Sequence, residues 1–501
     1  TIQAGVLAPR QVCLSWAISN KASSTVYTGY ARDLDVGQQP YSQGLLLRDD
    51  AIVWFRQQLA NPAIVLAIHN MPFDVADLCN EAPDLLPAVF TALHDHRLRC
   101  TIVRQKLLDI AFGMRKFRRV PKEGRIAIVK STYSLADLIG LYYGEVLQKK
   151  DTWQKSYGLL KGVPIEKWPP NARSYALKDA VEHVRVYDKQ EQLIEARFGG
   201  VLPNQAEQQR AAVALHLMSA WGVRAEQAAV DRFISHCEEE IAKMKDDLRD
   251  TGIFKAKYKC GKKCEYTANA PWQACPRCNE YRCKPNRDAG TRSMAEIRKR
   301  VIESCGRRNV QVPMTDPSKM YPEGQVITDK EALEETDDPA LHVLATQMTF
   351  VKHLGQWGPV CRAAVYRPVC ARYEVLVETG RTSCSGSEGQ EGTNFQNPPR
   401  AGDVRPCFVP RCGCLYCSTD ADTIELRALA QSCLELVGWS KMAEALWDQH
   451  KNGGPDLHVR LAANILGIDA REAQARRKDG DVEIALARQF AKIPNFGFPG
   501  G

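Results

Sequence analysis

Ala487–Gly501 reads ARQFAKIPNFGFPGG and places Arg488, Lys492 and Phe496 at i, i+4 and i+8. On an α-helix such positions advance by only about 40° per step, so two cations and one aromatic ring share a face. That face suits a nucleoside triphosphate, because cations can grip the phosphates while the ring stacks beside them. The same spacing also occurs in an amphipathic helix that simply ends at Gly497, so the weight falls on what precedes it.

Upstream, Ser418–Gln431 (STDADTIELRALAQ) puts Asp420 at the end of an apolar run, with a helical pattern starting near Ile424. A carboxylate at a strand edge can bind a divalent metal. The preceding segment, Glu378–Phe408, is dense in Gly, Ser, Asn and Pro and carries Arg381, Gln396, Asn397 and Arg400. Such a structured polar loop suits the backbone and minor groove of a duplex.

Four motifs follow one another in order: Thr379-Gly380-Arg381, then N-x-Q-N-x-P-R from Asn394 to Arg400. Next come D-x4-E-L-R from Asp420 to Arg427 and R-x3-K-x3-F-G from Arg488 to Gly497. Together they resemble the A-family DNA polymerases of the polymerase I type, bacteriophage and metagenomic members above all. The fold this implies is α/β and α+β multidomain. A ribonuclease-H-like exonuclease domain comes first, followed by a right-hand polymerase with palm, thumb and partial fingers.

The resemblance also implies roles. Asp420, with the Ala421 backbone carbonyl, would bind Mg2+, two ions per active site in the complete enzyme. Glu425 would be the steric gate against a ribose 2′-hydroxyl. Arg488, Lys492 and His458 would contact the triphosphate of an incoming dNTP, Lys492 would protonate pyrophosphate, and Phe496 would lie beside the sugar. Pro494 falls inside this helix and is expected to kink or loosen it, since it removes the amide that would bond the Phe490 carbonyl. Gly500 stands where many cellular relatives have a Tyr. The family's His-Asp motif is expected beyond Gly501.

The N-terminal part has its own constellation. In Ala63–Leu78 a strand is expected to end at Asn70 and Asp74 to open a helix, while Tyr175 and Asp179 stand one helical turn apart. Taken alone, Asp74 also reads as a helix cap and the Tyr/Asp pair as structural. Beside the polymerase motifs, H-N-x-x-F-D and Y-x3-D look like the second and third motifs of a DEDDy 3′–5′ proofreading exonuclease. That resemblance makes Asp74 and Asp179 metal ligands, Tyr175 the group orienting a water, and Asn70 a neighbour of the single-stranded 3′ end. The first motif, Asp-x-Glu, has no candidate in the opening residues. The chain is therefore expected to be truncated at both ends and to lack turnover by itself.

Tyr258–Pro285 holds Cys260, Cys264, Cys275 and Cys278, with Cys283 as an alternate. Two close pairs across a short spacer can supply four thiolates to one Zn2+. The lysines and arginines around them offer phosphate contacts. A second cluster, Cys407, Cys412, Cys414 and Cys417, aligns with a palm hairpin and is expected to pack into its core.

Bulk properties set the frame. The 501 residues are 44% hydrophobic and 25% charged, with a net charge of +8 and 18 cysteines. That is an ordinary globular composition with a mild bias toward a polyanionic partner. No apolar run approaches a membrane span, and no signal segment opens the chain. The expected setting is the cytoplasm of a bacterial or phage-infected cell, the expected partners are primer-template DNA and dNTPs, and any replisome partners go unnamed. The expected units are 1–200 (exonuclease-like), 201–330 (start of the polymerase domain and thumb, with the Cys-rich insert at 255–290), 331–440 (palm) and 441–501 (partial fingers). Two alternatives stand beside this: a single-subunit RNA polymerase relative, against which Glu425 and the exonuclease-like part count, and a DNA-binding protein without catalysis.

Overall fold

The structure, a computed structural model, describes residues 14–20, 25–32, 44–122, 125–146, 153–160, 163, 167–248, 251–259, 267–268, 284–386, 394–400, 402–417, 419 and 423–500. The four zinc-candidate cysteines with Cys283, and the metal candidates Asp420 and Ala421, lie outside these residues. So does the side chain of Phe496. The chain divides into two compact units, Thr1–Cys414 and Leu415–Gly501. The expected boundary at 440 falls inside the second.

The first unit opens with β1 (Leu14–Asn20), β2 (Thr25–Arg32) and β3 (Gly44–Leu47). β1 and β2 pair antiparallel, β2 and β3 parallel. Then follow α1 (Arg48–Ala60), β4 (Leu66–Ile68), α2 (Met71–Glu81), α3 (Leu86–His94), β5 (Leu98–Cys100) and α4 (Thr101–Ala111). β4 and β5 form a parallel pair of their own. Among the described residues the strands therefore make separate sheets, not one mixed sheet. The hairpin β6 (Phe117–Lys122) and β7 (Arg125–Lys130) leads to α5 (Leu135–Tyr143), short α6 (Trp153–Ser156) and long α7 (Pro170–Phe198). α5 starts at a capping box in which Ser134 and Asp137 satisfy each other's amides.

The expected boundary between 200 and 201 falls in a turn, rich in Gly and Pro, that joins α7 to α8 (Gln205–Trp221). Val213 on α8, together with Val375 and Leu376, packs into the same cluster as Leu59, Met71, Leu85 and Leu98. These side chains meet because each element keeps its apolar face toward α2 and α3.

β8 (Arg224–Ala225) precedes α9 (Gln227–Asp247), and β9 (Phe254–Lys259) lies between β10 (Thr267–Ala268) and β11 (Lys284–Arg292). α10 (Met294–Arg308), α11 (Lys330–Glu334) and α12 (Pro339–Tyr366) follow. The sequence pattern from Lys330 to Trp357 reads as one helix, but the chain breaks at 335–338. There Asp338 caps the Ala340 amide and Pro339, with its fixed φ and missing N–H, restarts the helix. α12 packs along α9 over Phe233, Cys237, Trp357 and Cys361. The hairpin β12 (Ala371–Glu374) and β13 (Ser383–Gly386) comes next, and β14 (Phe408–Val409) pairs with β8.

The second unit is helical: α13 (Ile424–Val437), α14 (Lys441–Asn452), α15 (Leu457–Leu466), α16 (Ala470–Lys478) and α17 (Val482–Gly500). Ser440, Asp456 and Asp469 cap three of these helices, while Gly453 and Gly467 end two of them at φ 64° and 67°. α17 continues through Pro494, so the proline does not end the helix.

Three of the four cysteines expected in a palm core are not buried. Cys407 is fully buried, but Cys412, Cys414 and Cys417 are exposed. Cys407 closes a short 3-10 turn, Arg405–Cys407, and the strand after it spans only Phe408–Val409; Pro410 and the turn at Gly413 then remove the alternation that would have buried the rest.

Candidate functional sites

In the first unit, β4 stops at Ile68 and α2 starts at Met71, with Asn70 between them in the left-handed region at φ 60°. Asn tolerates that conformation better than most side chains. Asn70 is the N-cap and is exposed, so Asp74 lies a full turn into α2 and does not open it. α7 carries Tyr175, Asp179 and His183 at four-residue intervals, on one face. That face meets α2 and the end of β4: Asp179 acts electrostatically on Asp74, and the His183 and His69 rings lie 5.7 Å apart. His69 Nδ1 is 2.8 Å from Thr101 Oγ1. Tyr175 lies against Tyr157, ring centroids 5.8 Å apart, and the Tyr157 hydroxyl donates to the Ala172 carbonyl at 2.5 Å.

Burial sets the charge state here. It pushes Asp74 up to about 7, helped by Asp77 and Asp179, and it pushes His69 down to about 3 and His183 down to about 4. Near neutral pH both imidazoles are uncharged and Asp74 shares its proton with solvent. A divalent cation would relieve such a carboxylate pair. Yet among the described residues no group of three or more His, Cys, Asp or Glu side chains is arranged to hold one. The described donors do not complete a metal site, so no step is routed through one. Sequence reading quoted His69 as the first letter of H-N-x-x-F-D without giving it a role, and it missed His183 and Asp77. His183 continues the four-residue ladder of Tyr175 and Asp179.

The second constellation is built around the turn after β12. Leu376 sits at φ 60°, unusual for a branched apolar residue, and two cations from the α4 region hold it. Lys106 Nζ donates to the Val375 carbonyl at 3.1 Å and Arg115 Nε to the Leu376 carbonyl at 2.7 Å. The turn then closes through Val377 N to Arg381 O at 2.8 Å, leaving Arg381 exposed. Gln396 Nε2 donates to Thr382 Oγ1 at 2.6 Å, which ties the second polar loop to the first. Phe395 anchors that loop through ring contacts with Trp357 and Phe408, at 5.8 and 5.5 Å. Arg381, Gln396 and Asn397 are thus brought together on one exposed surface, and Arg400 is exposed just beyond.

In the second unit, Ile484, Ala487 and Ala491 of α17 are buried against α15. This rotation leaves Arg488 and Lys492 partly exposed one turn apart, as their spacing predicted. Glu425 is exposed in the first turn of α13. His458, expected to contact phosphate, is only 4% exposed. The residue that does face Arg488 is Asp456. Its Oδ1 caps α15, accepting from His458 N and Val459 N, both at 2.9 Å. Its Oδ2 accepts from Arg477 Nη1 at 2.6 Å and Arg488 Nε at 3.3 Å. Sequence reading missed Asp456 and Arg477.

No protein-family model matches the sequence, and no curated protein matches it. The fold is similar to that of the polymerase domain of Pol1 from M. smegmatis, solved in complex with DNA primer-template and dNTP. The likeness covers 99% of this chain and 68% of that chain at a TM-score of 0.51 and 18% identity. The chain has the fold of a DNA polymerase domain. At this identity the likeness speaks for the fold; the chemistry has to come from the residues. No described helix is long and apolar enough to cross a membrane.

Proposed function

We propose that the chain is a DNA-directed DNA polymerase of the polymerase I type, adding dNTPs to a primer on a DNA template in replication or repair. The observation that carries this is the α17 face. Arg488 and Lys492 stand one turn apart and partly exposed, on a helix of a polymerase-domain fold. Two cations on one rigid helix suit a polyphosphate, and Lys492 is read as the group that gives a proton to departing pyrophosphate. Glu425 would exclude a 2′-hydroxyl. The tied loops bearing Arg381, Gln396, Asn397 and Arg400 offer exposed donors for a duplex backbone.

Mg2+ at Asp420 and the Ala421 carbonyl belongs to the same reading and would neutralise charge on the transferred phosphoryl group. The Asp74, Asp179 and Tyr175 face is read as a 3′–5′ proofreading site with Asn70 at its rim. Zn2+ at Cys260, Cys264, Cys275 and Cys278, and a cytoplasmic setting, also remain part of the proposal.

Binding tests the reading without requiring turnover. The 501-residue chain should hold a labelled recessed primer-template more tightly than a blunt duplex. The Mg2+-bound dNTP complementary to the next template base should tighten that complex. The double change Arg488→Ala, Lys492→Ala should abolish the tightening. Equal affinity for the two DNAs, with no dNTP effect, would refute the proposal.

A further inference from the structure

Arg488 is not simply an exposed cation waiting for an anion. Among the described residues it makes one hydrogen bond, from Nε to Asp456 Oδ2 at 3.3 Å, and its two Nη groups make none. A guanidinium held by its Nε edge keeps the Nη fork as its remaining donors, the geometry that serves bidentate phosphate binding. Asp456 is itself rigid. Its other oxygen caps α15 through the His458 and Val459 amides, so the carboxylate cannot swing without uncapping the helix. Arg477 converges on the same Oδ2 at 2.6 Å, and Asp456 is only 16% exposed against 22% for Arg488.

We infer that Asp456 is the positioning residue of the nucleotide site: fixed by the start of α15, it orients Arg488, 32 residues away in sequence, toward the polyphosphate. The inference rests on the reading of Arg488 as a triphosphate contact. It differs from a bare charge count in sign. Two arginines and one aspartate sum to a single positive charge, and removing the carboxylate adds one more. If charge alone governed binding, losing Asp456 would tighten it. If orientation governs, losing Asp456 weakens it.

Asp456→Asn separates the two, since Asn caps a helix about as well as Asp does and the fold should survive. Binding of Mg2+-dATP and of inorganic tripolyphosphate to the full chain should weaken by about tenfold, the scale of one charge-assisted hydrogen bond. Arg488→Lys keeps the charge but has no Nε edge, and should lose a similar factor. Combined with Asp456→Asn it should lose little more, the non-additivity expected of a coupled pair. Arg488→Lys also keeps the test alive should Asp456→Asn fold poorly. Binding by Asp456→Asn equal to or tighter than wild type, or full affinity in Arg488→Lys, would overturn the inference. If the wild-type chain binds neither probe, or Arg488→Ala binds both unchanged, the nucleotide-site reading itself fails and the inference falls with it. If Arg488→Ala loses binding but Asp456→Asn and Arg488→Lys do not, only the inference fails.

Discussion

The constellation of α2, α4 and α7 and the constellation of α15 and α17 solve opposite electrostatic problems. In the first, charge is taken out of water: Asp74 is pushed up to about 7 and His183 down to about 4 by burial. In the second, cations stay at the surface and a single capping carboxylate arranges them. A desolvated group changes its protonation state before it changes its partner, whereas a solvated group keeps its charge and competes for partners. Substitutions should therefore act on stability in the first region and on ligand affinity in the second.

The sharpest test of that division is Asp109. It is 1% exposed, pairs with Arg118, accepts from the Tyr133 hydroxyl at 2.7 Å and from Gln105 at 3.0 Å. Asp109→Ala strands the buried Arg118 and should cost about 3–5 kcal/mol of unfolding free energy in urea titration. A loss below about 1 kcal/mol would show the network to be solvated, and the contrast between the two regions would weaken.

Arg488→Ala is the converse. It should leave the urea midpoint within experimental error and reduce dNTP affinity by about 2 kcal/mol, the value of a hydrogen bond to a charged group. A stability loss as large as that of Asp109→Ala would mean that α17 uses Arg488 to fold, not to bind.

Acid titration probes the half-buried imidazoles. The folded value of His183, about 4, lies below its ordinary 6.5, so the unfolded chain binds the extra proton in that window. Stability should fall as pH drops from about 6.5 toward 4, by a few kcal/mol at most, and level off below. Asp74 works in the other sense: its folded value of about 7 exceeds the ordinary 3.8, so it costs stability as pH rises from 4 to 7. His183→Asn should flatten the acid limb in thermal melts at stepped pH, while Asp74→Asn should raise the melting temperature at pH 8 and not at pH 4. An unchanged acid limb in His183→Asn would place that ring in contact with water.

The smallest effect belongs to the exposed loop. Gln396→Ala removes the 2.6 Å tie to Thr382 and should weaken primer-template binding by roughly 0.5–1 kcal/mol, with no change in stability. Truncation of Phe395, which anchors the same loop between Trp357 and Phe408, should cost far more stability.

How much was legible follows the distance over which each feature is built. The shared face of Arg488 and Lys492, and that of Tyr175 and Asp179, came directly from helical spacing and survive in the fold. The start of α13 at Ile424 was equally local. The break before α12 was misread because the apolar rhythm runs through it, although Asp338-Pro339 carried the stop signal. The cysteines after β14 were misplaced because alternation says which residues would share a face, not where the strand ends.

Sequence by itself determined the order of the motifs, the helices that bear them and the side chains that each helix presents together, because those depend on periodicity and capping within a few residues. Only the tertiary structure decided that His69 meets His183, that Lys106 and Arg115 hold the turn before Arg381, and that Asp456 holds Arg488. Those partners are separated by tens to hundreds of residues. Their meeting is set by how buried faces pack, and no local pattern encodes which polar groups that packing brings into reach.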